Sequence, residues 1–236
     1  MDLGSRPLLM AIINVTPDSF SDGGDYFELD SAIGLAEKAL EDGADILDIG
    51  GESTRPGSER VPAEEEIGRV IPLVEDLSNR FDAPISVDTS KSAVAERALD
   101  AGAEIINDIS GFRFDPELAE TVAKGGAGVV LMHSRGDFDE MHYLEPVEDI
   151  TEEVVTGIEQ SLAKASYAGI ERDKICVDPG IGFGKSFSQN LELIDRIEEI
   201  KSRLEGRPML VGVSRKSFIG KILDDAPVSK RLHGTL

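Results

Sequence analysis

The alternation of strand and helix signals along these 236 residues predicts an α/β fold of the TIM (β/α)8 type. Three observations lead to it. Short runs rich in β-branched residues are separated by helical patterns of about ten to twenty residues, the signal for repeated βα units and a parallel sheet. Those runs are near-continuously apolar, as expected of strands covered on both faces. Each run ends on a short polar signature, and in such a barrel the loops after the strands open on one face, where chemistry is done.

Taken in order, the first run spans 8–14 and closes at Asn14 in IINVTPDSFSDGG. The second spans 44–50 and leads through Asp48 into DIGGESTR, and the third spans 84–88 and closes at Asp88 in ISVDTSK. The fourth, 104–108, ends on Asn107 and Asp108. The fifth, 127–132, ends on Met132 and His133, and the sixth, 173–178, on Asp178 in VDPGIGFGK. A seventh, 209–213, leads to Ser214, Arg215 and Lys216 in VGVSRKS. Between them, Asp30 is placed to cap a helix that stops at Gly43, Ser90 one that stops at Gly102, and Pro116 opens one that runs to Gly125. The stop recurs as GAD (43–45), GAE (102–104) and GAG (126–128). No low-complexity linker interrupts residues 1–236, which read as a single domain.

Seven strands fall one short of a closed eight-stranded barrel, and APVSKRLHGTL reads as the start of a seventh helix without a cap. A further βα unit needs about 30 residues, so the expectation is that the eighth unit is missing and the chain is incomplete at its C-terminus. The alternative, an open seven-stranded barrel, would expose two strand edges.

Composition narrows the partners. Forty-six Asp and Glu against 24 Lys and Arg leave a formal net charge of −22, which repels nucleic acid and anionic membranes. The acids are scattered along helical segments, the pattern of a solvated face adapted to salt, as in halophile proteins. There is no signal-peptide pattern and no apolar stretch of membrane-spanning length. A single Cys176, inside a strand, excludes an internal disulfide, so a cytoplasmic protein is expected.

The motifs carry chemistry of a definite kind. A neutral amide oxygen at a strand end, as at Asn14, can hold Mg²⁺ without consuming all its waters. GGESTRPGSERVP (50–62) is a glycine-opened loop with hydroxyls and Arg55, an anion-site pattern. For Asp48, a pocket role and a plain hydrogen bond to the next loop both stand. VDPGIGFGKS imitates two nucleotide motifs and satisfies neither, since Pro179 and Lys185 occupy positions where glycine is required. Its useful residue is Asp178, whose carboxylate can accept from a ring N–H and an exocyclic amine together. Lys216 belongs at the pocket mouth, whereas Arg215 reads equally as structural. His133 and His142 lack a Cys or His partner at zinc spacing and read as wall residues.

In this order the motifs closely resemble those of the dihydropteroate synthase family, from Leu9 to the last residue, most specifically in 14–24, 50–57, 178–185 and 214–220. The resemblance implies a barrel enzyme that joins 6-hydroxymethyl-7,8-dihydropterin pyrophosphate to p-aminobenzoate, releasing pyrophosphate and 7,8-dihydropteroate. It implies a pterin pocket of Asp88, Asn107, Asp178 and Lys216 walled by Met132 and Phe183, with Asn14 meeting Mg²⁺ and pyrophosphate. It puts Phe20, Thr54, Arg55, Pro56 and Ser217 at the rim where p-aminobenzoate and sulfonamides sit, and assigns the chemistry to Asp22, Asp88 and Lys216. The family's Arg-x-His pair on an eighth strand has no counterpart: Arg231-Leu232-His233 has the letters but falls on a predicted helix, so the role is not transferred. A homodimer is possible in a full-length form. A pterin-binding methyltransferase domain and a non-catalytic pterin-binding fragment are the competing readings.

Overall fold

The computed structural model describes residue 3 and residues 6–15, 25–55, 57–141 and 143–236. Among these, six parallel strands form one sheet in sequential order: β1 (Met10–Asn14), β2 (Ile46–Gly50), β3 (Ile85–Asp88), β4 (Ile105–Asp108), β5 (Gly128–Met132) and β6 (Ile175–Asp178). Each is followed by helix: α1 (Asp25–Glu41), α2 (Ala63–Arg80), α3 (Ser92–Asp100), α4 (Leu118–Gly125), α5 (Ile150–Ala168), then α6 (Phe187–Asp195) and α7 (Ile197–Arg203). Two short helices, α8 (Ser217–Ile222) and α9 (Leu232–Thr235), come after the last sheet pairing. The α/β class and the neighbour-by-neighbour order are those expected of a (β/α) barrel.

The strand count is corrected from seven to six. Run 209–213 joins the sheet through a single parallel bridge, Met209 to Val177, with Val177 N–H donating to Pro208 O at 3.0 Å and Leu210 N–H donating to Val177 O at 2.8 Å. Pro208 has no N–H to give before the bridge and Pro179 none to give Leu210 O after it, so pairing does not extend beyond these bonds.

The sheet's two faces follow from its register. Asn14 pairs with Gly50, Gly50 with Asp88, Asp88 with Asn107, Asn107 with Val130, and Met132 with Asp178. Side chains alternate along a strand, so these positions share one face, and the residues between them share the other. On that second face Leu47, Ile49, Val87, Ile106, Leu131 and Val177 are fully or almost fully buried against the helices. Ile12, on the first face of β1, is by contrast 66% exposed.

Helix ends hold two further corrections. Helix α1 starts at Asp25, which puts Asp30 inside it rather than at its cap. Ser90 does not cap α3. Asp115, from the loop after β4, accepts the Ser92 N–H at 2.7 Å and the Glu117 N–H at 2.9 Å, so one carboxylate serves the starts of both α3 and α4. The helix stops hold: Gly43, Gly102 and Gly126 have φ of 102°, 110° and 63°, the left-handed backbone that glycine adopts without a Cβ penalty.

Candidate active site

The polar strand ends gather on one side of the sheet because all six strands run the same way. On the shared face, Asp88 and Asn107 are register neighbours, as are Met132 and Asp178. Asp108 points to the opposite face. Its carboxylate accepts the Ser110 and Phe112 N–H groups and the Ser110 hydroxyl, which shapes the loop after β4 and leaves the pocket to Asn107.

The β2–β4 side is crowded with carboxylates. Asp48 is buried, accepting the Ser86 hydroxyl at 2.6 Å and the Asn107 Nδ2 amide at 3.1 Å. That bond fixes the orientation of Asn107, because a carboxylate can only accept: one Nδ2 hydrogen goes to Asp48, and Oδ1 is left to take a hydrogen from a ligand. Burial holds Asp48 above the usual carboxylate range, although Ser86 and Asn107 work against the shift. Asp88 is pushed well above it, by burial first and then by the charges of Asp48, Glu66, Asp108 and Glu52. Behind Asp88, Lys91 Nζ bonds Glu52 at 2.8 Å and also pairs with the fully buried Glu66. Glu52 accepts the Val61 N–H at 2.6 Å as well, which ties together the two ends of the loop after β2. The Ser58 hydroxyl closes that loop on the carbonyls of Ser53 and Arg55.

The β5–β6 side is rich in cations. Asp178 Oδ1 accepts the Gly180 N–H at 2.6 Å; burial raises this carboxyl while Lys216 and Lys185 oppose the rise. Lys185 Nζ donates to the His133 carbonyl at 2.7 Å, and burial holds the amine well below its ordinary value. Lys216 Nζ donates to the Ile181 carbonyl and lies 4.7 Å from the centroid of the Phe183 ring, a cation–π geometry. The glycine-rich loop makes this possible. A Cβ on Gly180 would stand 1.8 Å from the His133 carbonyl oxygen, and one on Gly182 would stand 2.9 Å from Lys216 Cδ. Met132 packs in an apolar cluster with Ile109, Phe138 and Met141, with Phe114 and Phe183 against it. His133 is a buried wall residue, held neutral by burial and by nearby cations. Among the described residues no three His, Cys, Asp or Glu side chains gather as a metal cluster.

The structure thus brings together Asp88, Asn107, Met132, Asp178, Phe183 and Lys216. Asn14, Arg55 and Ser217 are exposed and Thr54 is half-buried, at the ends of β1 and β2 and the start of α8. Phe20, Asp22, Pro56 and His142 lie outside the described residues. Sequence reasoning passed over Lys185 and the Glu52–Glu66–Lys91 triad. The GFGK run imitates a nucleotide motif, which masks its lysine, and the triad's members are too far apart in sequence to show as a pattern.

Residues 10–236 match the family described as pterin binding enzyme. A dihydropteroate synthase of Clostridium beijerinckii is 45% identical over 235 residues, covering 100% of this chain and 84% of that protein. The crystal structure of a Clostridium difficile dihydropteroate synthase in the presence of pteroic acid superposes with a TM-score of 0.92 at 45% identity, over 100% of this chain and 86% of the other. That of a Xanthomonas albilineans dihydropteroate synthase with 4-aminobenzoic acid gives 0.91 at 41% identity, over 98% and 81%.

Proposed function

Because the chain belongs to the dihydropteroate synthase family of pterin-binding enzymes, we propose that it joins 6-hydroxymethyl-7,8-dihydropterin pyrophosphate to p-aminobenzoate in folate biosynthesis. The observation that carries the site reading is the strand-end set, half-buried Asp88 and Asn107 on one side and buried Asp178 with half-buried Lys216 and Phe183 on the other. Asp178 accepts from the pterin ring N–H and exocyclic amine, Asn107 Oδ1 takes a further ring hydrogen, and Lys216 donates to an electron-rich ring atom. Met132 and Phe183 wall the ring. A ligand lacking those groups would leave buried polar atoms unpaired, which is how such a site selects.

Pyrophosphate leaves from the pterin methylene, and the positive charge that develops there is stabilised by the carboxylate-rich β2–β4 side, above all Asp88. The family resemblance assigns Asp22 to that charge and Phe20 to the incoming aniline, both outside the described residues. Thr54, Arg55, Pro56 and Ser217 form the rim that orients p-aminobenzoate so that its amine attacks in line.

Mg²⁺ fits Asn14. The side chain is exposed at the end of β1, and its Oδ1 lies 3.0 Å from where a Cβ on Gly50 would stand, so glycine keeps that oxygen accessible. One neutral oxygen leaves the ion's other positions to water and phosphate, the usual way Mg²⁺ is held. When bound, the ion takes up negative charge on the leaving group.

The acidic surface is read as salt-adapted, its self-repulsion relieved by screening. In the cytoplasm, the single Cys176 thiol would be inert, since burial pushes it up to about 12.

The test is to mix protein, pterin pyrophosphate, p-aminobenzoate and Mg²⁺ at low and at molar KCl and to follow dihydropteroate. Product that requires Mg²⁺ and falls with a sulfonamide is the expected result. Pterin binding without product would replace this reading with that of a non-catalytic pterin-binding chain.

A further inference from the structure

Lys216 enters the pocket from a backbone in an unusual conformation. Arg215, immediately before it, has φ 52°, the left-handed region that a residue with a Cβ occupies only when its surroundings hold it there. Its surroundings are two side chains from α9 and the residue just before it. Thr235 Oγ1 accepts the Arg215 N–H at 3.0 Å, and Arg231 Nη1 donates to the Arg215 carbonyl at 3.1 Å. Both main-chain polar groups of one residue are therefore engaged by side chains more than a dozen positions away.

The clamp is itself anchored. Thr235 Oγ1 donates to the Arg231 carbonyl at 3.0 Å, and Arg231 Nε donates to the Ala226 carbonyl at 2.8 Å. The Arg231 guanidinium lies flat on Gly220 of α8, where an added Cβ would come within 2.6 Å of Nε. The Arg215 side chain is exposed, so what the clamp grips is backbone. Beyond the turn, the Lys216 stem crosses Gly182 and its ammonium meets the Ile181 carbonyl and the Phe183 ring.

We propose that Arg231 and Thr235 are positioning residues for Lys216, holding Arg215 in the left-handed turn that aims the ammonium across Gly182 into the pocket. This rests on the reading of Lys216 as a pterin-pocket group. Loss of either grip lets Arg215 relax to negative φ, and the next residue's side chain swings with it. A glycine at 215 would hold the same turn unaided, since it adopts positive φ without a Cβ penalty. That predicts rescue, which a general packing role for α9 does not.

The experiment measures affinity for the pterin pyrophosphate by titration calorimetry, and KM for p-aminobenzoate, in Arg231→Met, Thr235→Val and Gly220→Ala, each with and without Arg215→Gly. Arg231→Met is expected to weaken pterin binding about tenfold, with the other two smaller in the same direction, and to leave the p-aminobenzoate KM within about twofold. Adding Arg215→Gly should restore pterin affinity to within about twofold of the parent. Unchanged pterin affinity in Arg231→Met, or a loss that Arg215→Gly does not repair, would overturn the proposal. Lys216→Met serves as the control on the underlying reading. If it leaves pterin affinity intact, the pocket assignment fails and takes the clamp with it. If it weakens pterin while Arg231→Met does not, the clamp alone is wrong.

Discussion

The two sides of the pocket solve opposite electrostatic problems. On the β2–β4 side, Lys91 pairs with Glu52 and Glu66, and burial together with the charges of Asp48, Glu66, Asp108 and Glu52 makes Asp88 harder to ionise. On the β5–β6 side a single carboxylate, Asp178, faces Lys185 and Lys216, which favour its charged form while burial opposes it. The first side is an acid reservoir whose charge is held back by burial first and, at Asp88, by its neighbours' charges. The second is a balanced polar cradle. A positive charge arriving near Asp88 would be welcomed by groups already repelling one another, whereas a neutral ring with hydrogens to give is better matched by Asp178. The contrast teaches that the same residue type, a strand-end aspartate, is made to do two jobs by its neighbours.

The strongest way to break the contrast is to remove Lys91, the cation that pairs with both Glu52 and Glu66. Lys91→Met leaves Glu52 and Glu66 buried without their cation, and the expected loss in urea denaturation is about 3–5 kcal/mol. Glu66 is raised even with Lys91 present, because burial outweighs the ion pair. The deficit should therefore shrink as pH falls from about 7 to 5, where protonation relieves the buried charge. A loss under about 1 kcal/mol at neutral pH would show that the triad carries little.

On the other side, Asp178→Ala is expected to weaken pterin binding at least about 100-fold, the loss of two charge-assisted hydrogen bonds. Calorimetry showing unchanged affinity would sink the assignment. Asp88→Asn separates stability from function. The folded-state pKa of Asp88 lies above its unfolded value, so the native state retains a proton that the unfolded chain gives up as pH rises. The group therefore costs stability increasingly on going up through that window, and Asn abolishes the cost. Tm should rise at pH 7, by the equivalent of roughly 1 kcal/mol, and converge on the parent near pH 4, while synthase turnover falls. Equal pH profiles for the two proteins would refute the crowding. The smallest effect is expected from Phe183→Leu, which keeps an apolar wall but removes the ring under Lys216: about threefold in pterin affinity.

Much of this was legible in the sequence, and for identifiable reasons. Buried parallel strands leave unbroken apolar runs, and glycine stops at 43, 102 and 126 mark each return to the sheet, so six of the runs became β1–β6. Strand alternation then separates Asn107 from Asp108 once the register is known, which the dipeptide alone cannot do. Cap assignment failed at Ser90 because its helix is capped by Asp115, 23 residues beyond the N–H it accepts. The run 209–213 looked like a strand by composition, but pairing depends on a neighbour's hydrogen bonds and not on the run itself. The Lys91 triad and Lys185 were invisible for a related reason: their meaning lies in burial, and their letters are those of ordinary surface residues.

One consequence of that single bridge at Met209 concerns exchange with solvent. The segment leading to Lys216 hangs on β6 by two main-chain hydrogen bonds, so its amides can open to water without the whole sheet unfolding. A ligand gripped by Lys216 would bind only the closed form, and mass action then lends the segment part of the binding energy. At a free pterin concentration about 100 times its Kd, the Leu210 amide should exchange about 100-fold more slowly, whereas amides in β2 and β3, closed already by packing on both faces, would report only global unfolding. This weakly tied segment beside β6 would thereby serve as a direct reporter of pocket occupancy.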